Sequence, residues 1–243
     1  MLAQLNKLRA QASSGPAFSP AAAAAPAAAR LSQQPLPLAA CAPLDLAALL
    51  RQHPLLELRR SARFGRALHA AADIAAGASV LTEAAFASVN PRHCTGGDDA
   101  QMVDAMRVLV GDGSLAAALP HFLQLQPANA AWARGELGAA AVSAGQLCAP
   151  CIHANGFTVR DDLQVLCVAA AMANHSCLPN VAVSCEVSGA QAALLSFTAL
   201  RDIAAGEQIF HSYTDASAAR EDRRSRLESY GFVCDCAACE PTG

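Results

Sequence analysis

Three cysteines fall within the last ten residues, Cys234, Cys236 and Cys239, and they constrain the fold more than any other feature of the sequence. At C-x-C-x-x-C spacing, three thiolates can occupy three corners of a zinc tetrahedron, but a closed structural site needs a fourth ligand. The rest of the chain must therefore supply a side chain from far away in sequence. Cys177 is the attractive candidate, because it lies in a polar turn, Asn174-His175-Ser176-Cys177-Leu178-Pro179-Asn180, and the other cysteines do not. The Pro179-Asn180 pair marks that turn.

Ten cysteines in a chain of 243 residues that is 53% hydrophobic do not suggest a disulfide framework. Such frameworks belong to small secreted chains whose cores cannot stand alone. The apolar stretch from Ala21 is broken by Pro26 and does not read as a secretory signal. A reducing compartment, nucleus and/or cytoplasm, is expected, and there a tight cysteine cluster means metal or redox chemistry. The net charge of −3 argues against a direct nucleic-acid partner. No run of ~18 apolar residues is free of both charge and proline, so no membrane-spanning helix is expected. A monomer is expected.

Composition divides the chain. Residues 1–43 lack Asp and Glu and are filled with Ala, Pro, Ser and Gln, which reads as a low-complexity, disordered tail. An organelle transit peptide (plastid or mitochondrion) is the competing reading. From about residue 55 the pattern is globular. Strands are expected over 67–72, 78–82 and 84–89, with Glu83 between the last two, followed by a loop over 90–99. Met102, Met106, Leu109 and Val110 recur at helical spacing, as do Leu115, Leu119 and Phe122, and 129–148 is helical in composition. The apolar run 163–172 suits a buried helix. Strands follow at 181–187, 192–198 and 208–211, with a turn at 202–206 and a charged helix over 217–229. The fold class is α+β, β-rich, with a helical insert at about 100–150 inside a domain spanning 55–215. A C-terminal helix and cysteine-rich segment fill 216–243.

Two features read as structural. Cys148-Ala149-Pro150-Cys151, with His153 beyond, has no βαβ context and no second pair nearby; core or loop cysteines are expected, with redox or metal function as the alternative. Arg220, Arg223, Arg224 and Arg226, interleaved with Glu221, Asp222 and Glu228, read as a solvated helix face.

Singly, a polar turn, a strand tyrosine or a terminal cysteine triplet has a bland explanation. Their joint order resembles the SET-domain protein-lysine methyltransferases, closest to the SET-and-MYND family. The resemblance covers roughly residues 60–240. It rests on Gly65-Arg66-Ala67-Leu68 with Asp73-Ile74 and Gly77, Asn155-Gly156-Phe157-Thr158, Asn174 to Cys177 with Pro179-Asn180, Arg201-Asp202-Ile203 with Gly206-Glu207 and Tyr213, the helix end at Tyr230, and the cysteine triplet. It implies small β-sheets around a pseudoknot, closed by a post-SET zinc segment. It also implies S-adenosylmethionine as donor and the lysine of a protein, histone or non-histone, as acceptor.

Residue by residue, the resemblance makes Tyr213 catalytic and sets Tyr230 in the lysine channel. Gly65, Arg66, Asn155 and Asn174 would hold the methionine end of the donor, His175 and Phe232 its adenine. Cys177, Cys234, Cys236 and Cys239 would bind one structural zinc. Two departures are visible. Ala67 stands where the family carries a second glycine, and between Val89 and Asp104 the only histidine and cysteine are His93-Cys94, too few for the MYND finger. The family's C-terminal helical domain is expected to be missing as well.

Overall fold

The computed structural model describes residues 31–36, 38, 41–93, 99–137, 142–188 and 192–240. The chain enters through a 3-10 turn, Leu31–Gln33, and the short helix α1, Leu46–Leu50. The antiparallel pair β1 (Leu56–Ser61) and β2 (Gly65–Ala70) follows, with Leu58 opposite Leu68. Next come β3 (Ser79–Ala84) and β4 (Ala87–Val89). The insert holds α2 (Asp99–Asp104), β5 (Met106–Val108), α3 (Leu115–Phe122), α4 (Ala128–Ala133) and α5 (Ala144–Asn155). Beyond it lie β6 (Phe157–Arg160), β7 (Leu163–Leu166), β8 (Asn174–His175), β9 (Val181–Ser188), β10 (Ala192–Ala199), β11 (Phe210–His211) and the helix α6, Arg220–Glu228.

These strands form small sheets, ordered β1-β2, β3-β10-β9 and β5-β4-β7-β6, plus the two-residue parallel pair β8 and β11. The parallel pair sets Phe210 beside Asn174 and His211 beside His175. Two residues per strand cannot hold such a crossing alone. Asn180, 1% exposed, locks it. Its amide donates to Glu207 Oε1 (3.0 Å) and the Gln208 carbonyl (2.8 Å), and its Oδ1 accepts from the Phe210 N–H (2.8 Å). Nearby, Ile74 and Ile203 pair their backbones across two turns that exchange aspartate caps, Ala205 N–H on Asp73 and Ala76 N–H on Asp202.

One continuous core runs under all the sheets and the insert, with Phe86, Phe122, Phe197, Leu81, Leu119 and Leu195 among its fully buried members. The rings of Phe86 and Phe122 meet edge to face, centroids 5.1 Å apart, a favoured aromatic geometry.

The α+β class with its helical insert is observed, with local corrections. Residues 163–172 are not a helix but β7, a turn and a 3-10 turn, Ala170–Met172. Glu83 lies inside β3 rather than between strands. The alanine-rich stretch is split into α4 and α5 around Gly135, whose φ of +75° is left-handed. Only Phe210–His211 is strand within 208–211, β1 was not expected, and Met106–Val108, within the run expected at helical spacing, is the strand β5. The fold also starts before residue 43. Leu36 and Leu38 are buried, and the Ser32 N–H donates to Asp104 Oδ1 at 2.8 Å. Residues 1–30, which carry most of the tail and transit-peptide readings, lie outside the described residues, as does Cys94.

Candidate active site and metal centre

The four sulfurs of Cys177, Cys234, Cys236 and Cys239 lie within 4.8 Å of one another. Cys177 Sγ is 3.9 Å from that of Cys234 and 3.5 Å from that of Cys239. A tetrahedron with Zn–S bonds of about 2.3 Å has sulfurs about 3.8 Å apart. The donor set, spacing and burial of three of the four residues therefore fit one zinc ion with no open position.

Two arginines of α6 brace this centre. The Arg223 guanidinium donates to the carbonyls of Ala218 (2.6 Å) and Ala238 (3.0 Å) and approaches Cys239 Sγ at 3.6 Å. Arg224 donates to the Cys239 carbonyl at 3.0 Å. The reading of this helix as a solvated arginine face is thus corrected at Arg223, which is buried, and at Arg224. The thiols also differ in acidity. Burial pushes Cys177 up to about 12. Burial acts on Cys236 in the same sense but is outweighed by hydrogen bonds from the Cys177 backbone and the Cys234 side chain, which bring it down to about 7.

Cys177 brings β8 to the same place. The His175 ring spans the two halves of the site: Nδ1 accepts the Tyr213 N–H at 3.0 Å, and Nε2 faces Cys177 Sγ at 3.3 Å. Because Nδ1 accepts, the proton of the neutral ring sits on Nε2. Burial first, and the positive Arg223 second, lower the imidazole to about 4, so it is neutral near pH 7. Asn174 reaches the β2 hairpin, its amide donating to the Arg66 carbonyl at 3.1 Å.

Gly65 has a φ of +64°, and the space where a side chain would start is open for 4 Å. The Arg66 guanidinium, read as a donor contact, turns to the insert and donates to the Gln124 carbonyl; burial lowers it to about 10. Phe232 is 36% exposed and its ring lies 6.0 Å from that of His175. Asp235, between two of the cysteines, pairs with Arg63 at the tip of the β1–β2 hairpin. Asn174 thus meets the backbone beside Gly65, and His175 meets Phe232, with the cysteine segment tied to the same hairpin through Asp235.

A cavity of about 510 Å³ opens against Tyr213. Its walls include Asn155, Phe157, Ala173, His211, Tyr213 and Tyr230. The Tyr213 hydroxyl donates to the Ala173 carbonyl at 2.9 Å. Burial, with a smaller contribution from Tyr230, pushes its phenol well above the ordinary tyrosine range, so it stays protonated. Its ring stands 5.0 Å from Tyr230, 5.2 Å from His175 and 4.7 Å from His211. His211 is boxed by Phe157 and Phe197 and lowered to about 3, burial being the main cause.

The site residues read from the sequence thus separate into two groups. Tyr213 and Tyr230 line the cavity, while Gly65, Arg66, Asn174, His175 and Phe232 do not. Asn155 is displaced from its expected group: it lines the cavity, and its amide donates to the carbonyls of Gln126 (2.6 Å) and Cys151 (2.8 Å). Tyr213 is the wall the two groups share. Sequence reasoning missed Arg223 and Glu83. A signal for Glu83 existed, since in β3 it shares the inward parity of Leu81.

The family model described as SET domain matches residues 65–214, more than half of the chain. The chain belongs to the SET-domain family. Among curated proteins, N-lysine methyltransferase SMYD2-B of Xenopus laevis is 42% identical over 94 residues, covering 36% of this chain and 21% of that protein. N-lysine methyltransferase SMYD2 of Homo sapiens is 39% identical over 94 residues with the same coverage. The chain spans about a fifth of the length of these relatives. Among solved structures, a humanized mutant of the Chaetomium thermophilum Polycomb Repressive Complex 2 bound to the inhibitor GSK126 is similar over 66% of this chain and 15% of that one, with 18% identity and a TM-score of 0.35.

Proposed function

We propose that this SET-domain chain is an S-adenosylmethionine-dependent protein-lysine N-methyltransferase stabilised by one structural zinc ion. A single observation carries the reading: the Tyr213 ring is a wall of the cavity lined by Tyr230 and Phe157 and also packs toward His175 and Phe232, 5.2 and 6.5 Å away, where a donor cleft bordered by Gly65, Asn174, His175 and Phe232 would share that wall. Two reactants entering from opposite faces would meet at that wall.

The cleft suits the donor chemically. Asn174 offers amide polarity beside a backbone edge, Phe232 offers an exposed ring face for a purine, and the open approach over Gly65 leaves room for a polar tail. When bound, the donor supplies an electrophilic methyl group on a sulfonium. Transfer needs an in-line, unprotonated amine, so positioning and desolvation are the main tasks of the protein. A free lysine amine titrates near 10.4, and entry into an aromatic-walled cavity lowers that value by disfavouring the charged form. Tyr213 does not serve as a base, since its phenol keeps its proton. With that proton directed at Ala173, the oxygen lone pairs remain to orient the amine. The four cysteines would hold zinc in a closed site, and the ion's part is to fix the segment carrying Phe232.

The acceptor would be a lysine on a histone or another protein. The test is transfer of labelled methyl from S-adenosylmethionine to protein in cell extract, with the modified residue located by mass spectrometry. Methyl-lysine is expected, with kcat reduced at least ~100-fold in Tyr213→Phe and donor binding kept. Donor or peptide binding without any transfer would mark a non-catalytic SET module instead.

A further inference from the structure

Glu83 is an acid in the interior, 8% exposed, on a strand that also buries Val80 and Leu81. A lone buried carboxylate is costly unless its oxygens are fully hydrogen-bonded. Here the bonds come from three successive backbone amides: Val168 N–H to Oε1 at 2.8 Å, Ala169 N–H to Oε1 at 3.0 Å and Ala170 N–H to Oε2 at 2.8 Å. These amides begin the 3-10 turn Ala170–Met172, whose first N–H groups have no partners of their own in the turn. No side chain of the turn caps them; Ala169 occupies the N-cap position. The carboxylate, arriving from a strand more than eighty residues earlier, is the cap.

The segment it caps leads straight into the site. Three residues after Ala170 comes Ala173, whose carbonyl receives the Tyr213 hydroxyl, and then Asn174 and His175. Ala171 and Ala173 are also walls of the cavity. A shift of the turn would therefore move the acceptor that aims the Tyr213 hydroxyl, together with the strand that anchors Tyr213 through the His175 ring. Misplacements of about 1 Å at such a centre cost on the order of 100-fold in rate.

We propose that Glu83 is a positioning residue for methyl transfer, setting the Ala173 carbonyl and the Tyr213 hydroxyl through the backbone amides of residues 168–170. This rests on the methyltransferase reading, so wild-type transfer is measured first; its absence removes that reading and says nothing against the clamp. In Glu83→Gln the amide retains one acceptor oxygen, and its NH2 group opposes the third N–H. The expected result is a kcat reduced about 10- to 100-fold with peptide KM within about twofold, and faster hydrogen exchange at the amides of Val168, Ala169 and Ala170. Glu83→Asp is the second variant: it keeps the carboxylate but draws it back by one methylene from the three N–H groups. A smaller kcat loss of the same kind is expected. Met102→Ala, in the buried face of α2, is the control for lost stability alone, with kcat per folded molecule unchanged. Normal kcat in both site variants, losses equal to those of Met102→Ala, or failure of both site variants to fold would overturn the proposal.

Discussion

The main core and the C-terminal segment use cysteine in opposite ways. In α5, Cys148 and Cys151 are fully buried among apolar side chains, and burial pushes both thiols up, Cys151 to about 12. A helix places residues three apart on one face, so this C-x-x-C buries its pair side by side with no further ligand group added. The sole group of three or more ligand residues among the described residues is the one at the C-terminal end. There, an irregular backbone after α6 folds Cys234, Cys236 and Cys239 toward one point, and Cys177 joins from β8. Cysteine spacing alone does not decide between packing and ligation; the backbone carrying it does. Stability divides along the same line. The core is continuous and aromatic, whereas the segment has only Cys177, Leu227, Cys234 and Cys239 as its buried cluster.

The sharpest way to break this comparison is to remove the fourth ligand. Cys177→Ser is expected to lower metal content from one zinc per chain toward none, read by elemental analysis, while the far-UV circular dichroism of the core stays near wild type. Structural zinc sites are worth on the order of 10–16 kcal/mol in small domains, so the segment should lose amide protection in hydrogen exchange. Two or more zinc ions per wild-type chain would contradict a single centre.

Acid should act on the core as well as on the thiolates of the segment. His211 is lowered from 6.5 to about 3 by burial, so the unfolded chain binds a proton that the folded chain refuses. The stability it contributes is complete above pH 6.5 and is lost as pH falls toward 3, on the order of a few kcal/mol. Denaturant titrations across that range should show this slope with or without chelator, and His211→Phe should reduce it to the part that His175, lowered to about 4, contributes.

Smaller effects sharpen the picture. Arg223→Gln withdraws a buried cation from beside the Cys239 sulfur, and zinc affinity should fall about 10- to 100-fold, as for other outer-shell partners. A competition titration with a chromogenic chelator measures it. Cys148→Ala should cost only about 1 kcal/mol of stability and leave metal content unchanged; loss of metal there would make the α5 pair a ligand after all.

What the sequence revealed follows the same division. The cysteine tripod, its partner Cys177 and the order of motifs through Tyr213 could be read because ligand spacing and turn residues are local. The 163–172 run could not be assigned, because a continuous apolar stretch has the same pattern in a buried strand as in a buried helix. Glu83, far away in sequence, supplies the cap that makes the second half a 3-10 turn. Arg223 looked like one member of a charged face, and its burial against Ala218, Ala238 and Cys239 depends on the fold of the C-terminal segment. Asn155 sits at the end of α5, one turn after Cys151, but its second acceptor, the Gln126 carbonyl, comes from a segment no local pattern connects to it.

Donor binding, followed by calorimetry as zinc is withdrawn and returned, probes most directly whether the metal-held segment completes the cleft at Tyr213. S-adenosylmethionine should bind the zinc-loaded protein, bind about tenfold more weakly or worse after chelation, and regain full affinity on addition of one equivalent of zinc. Equal affinity in the metal-free protein would contradict the account.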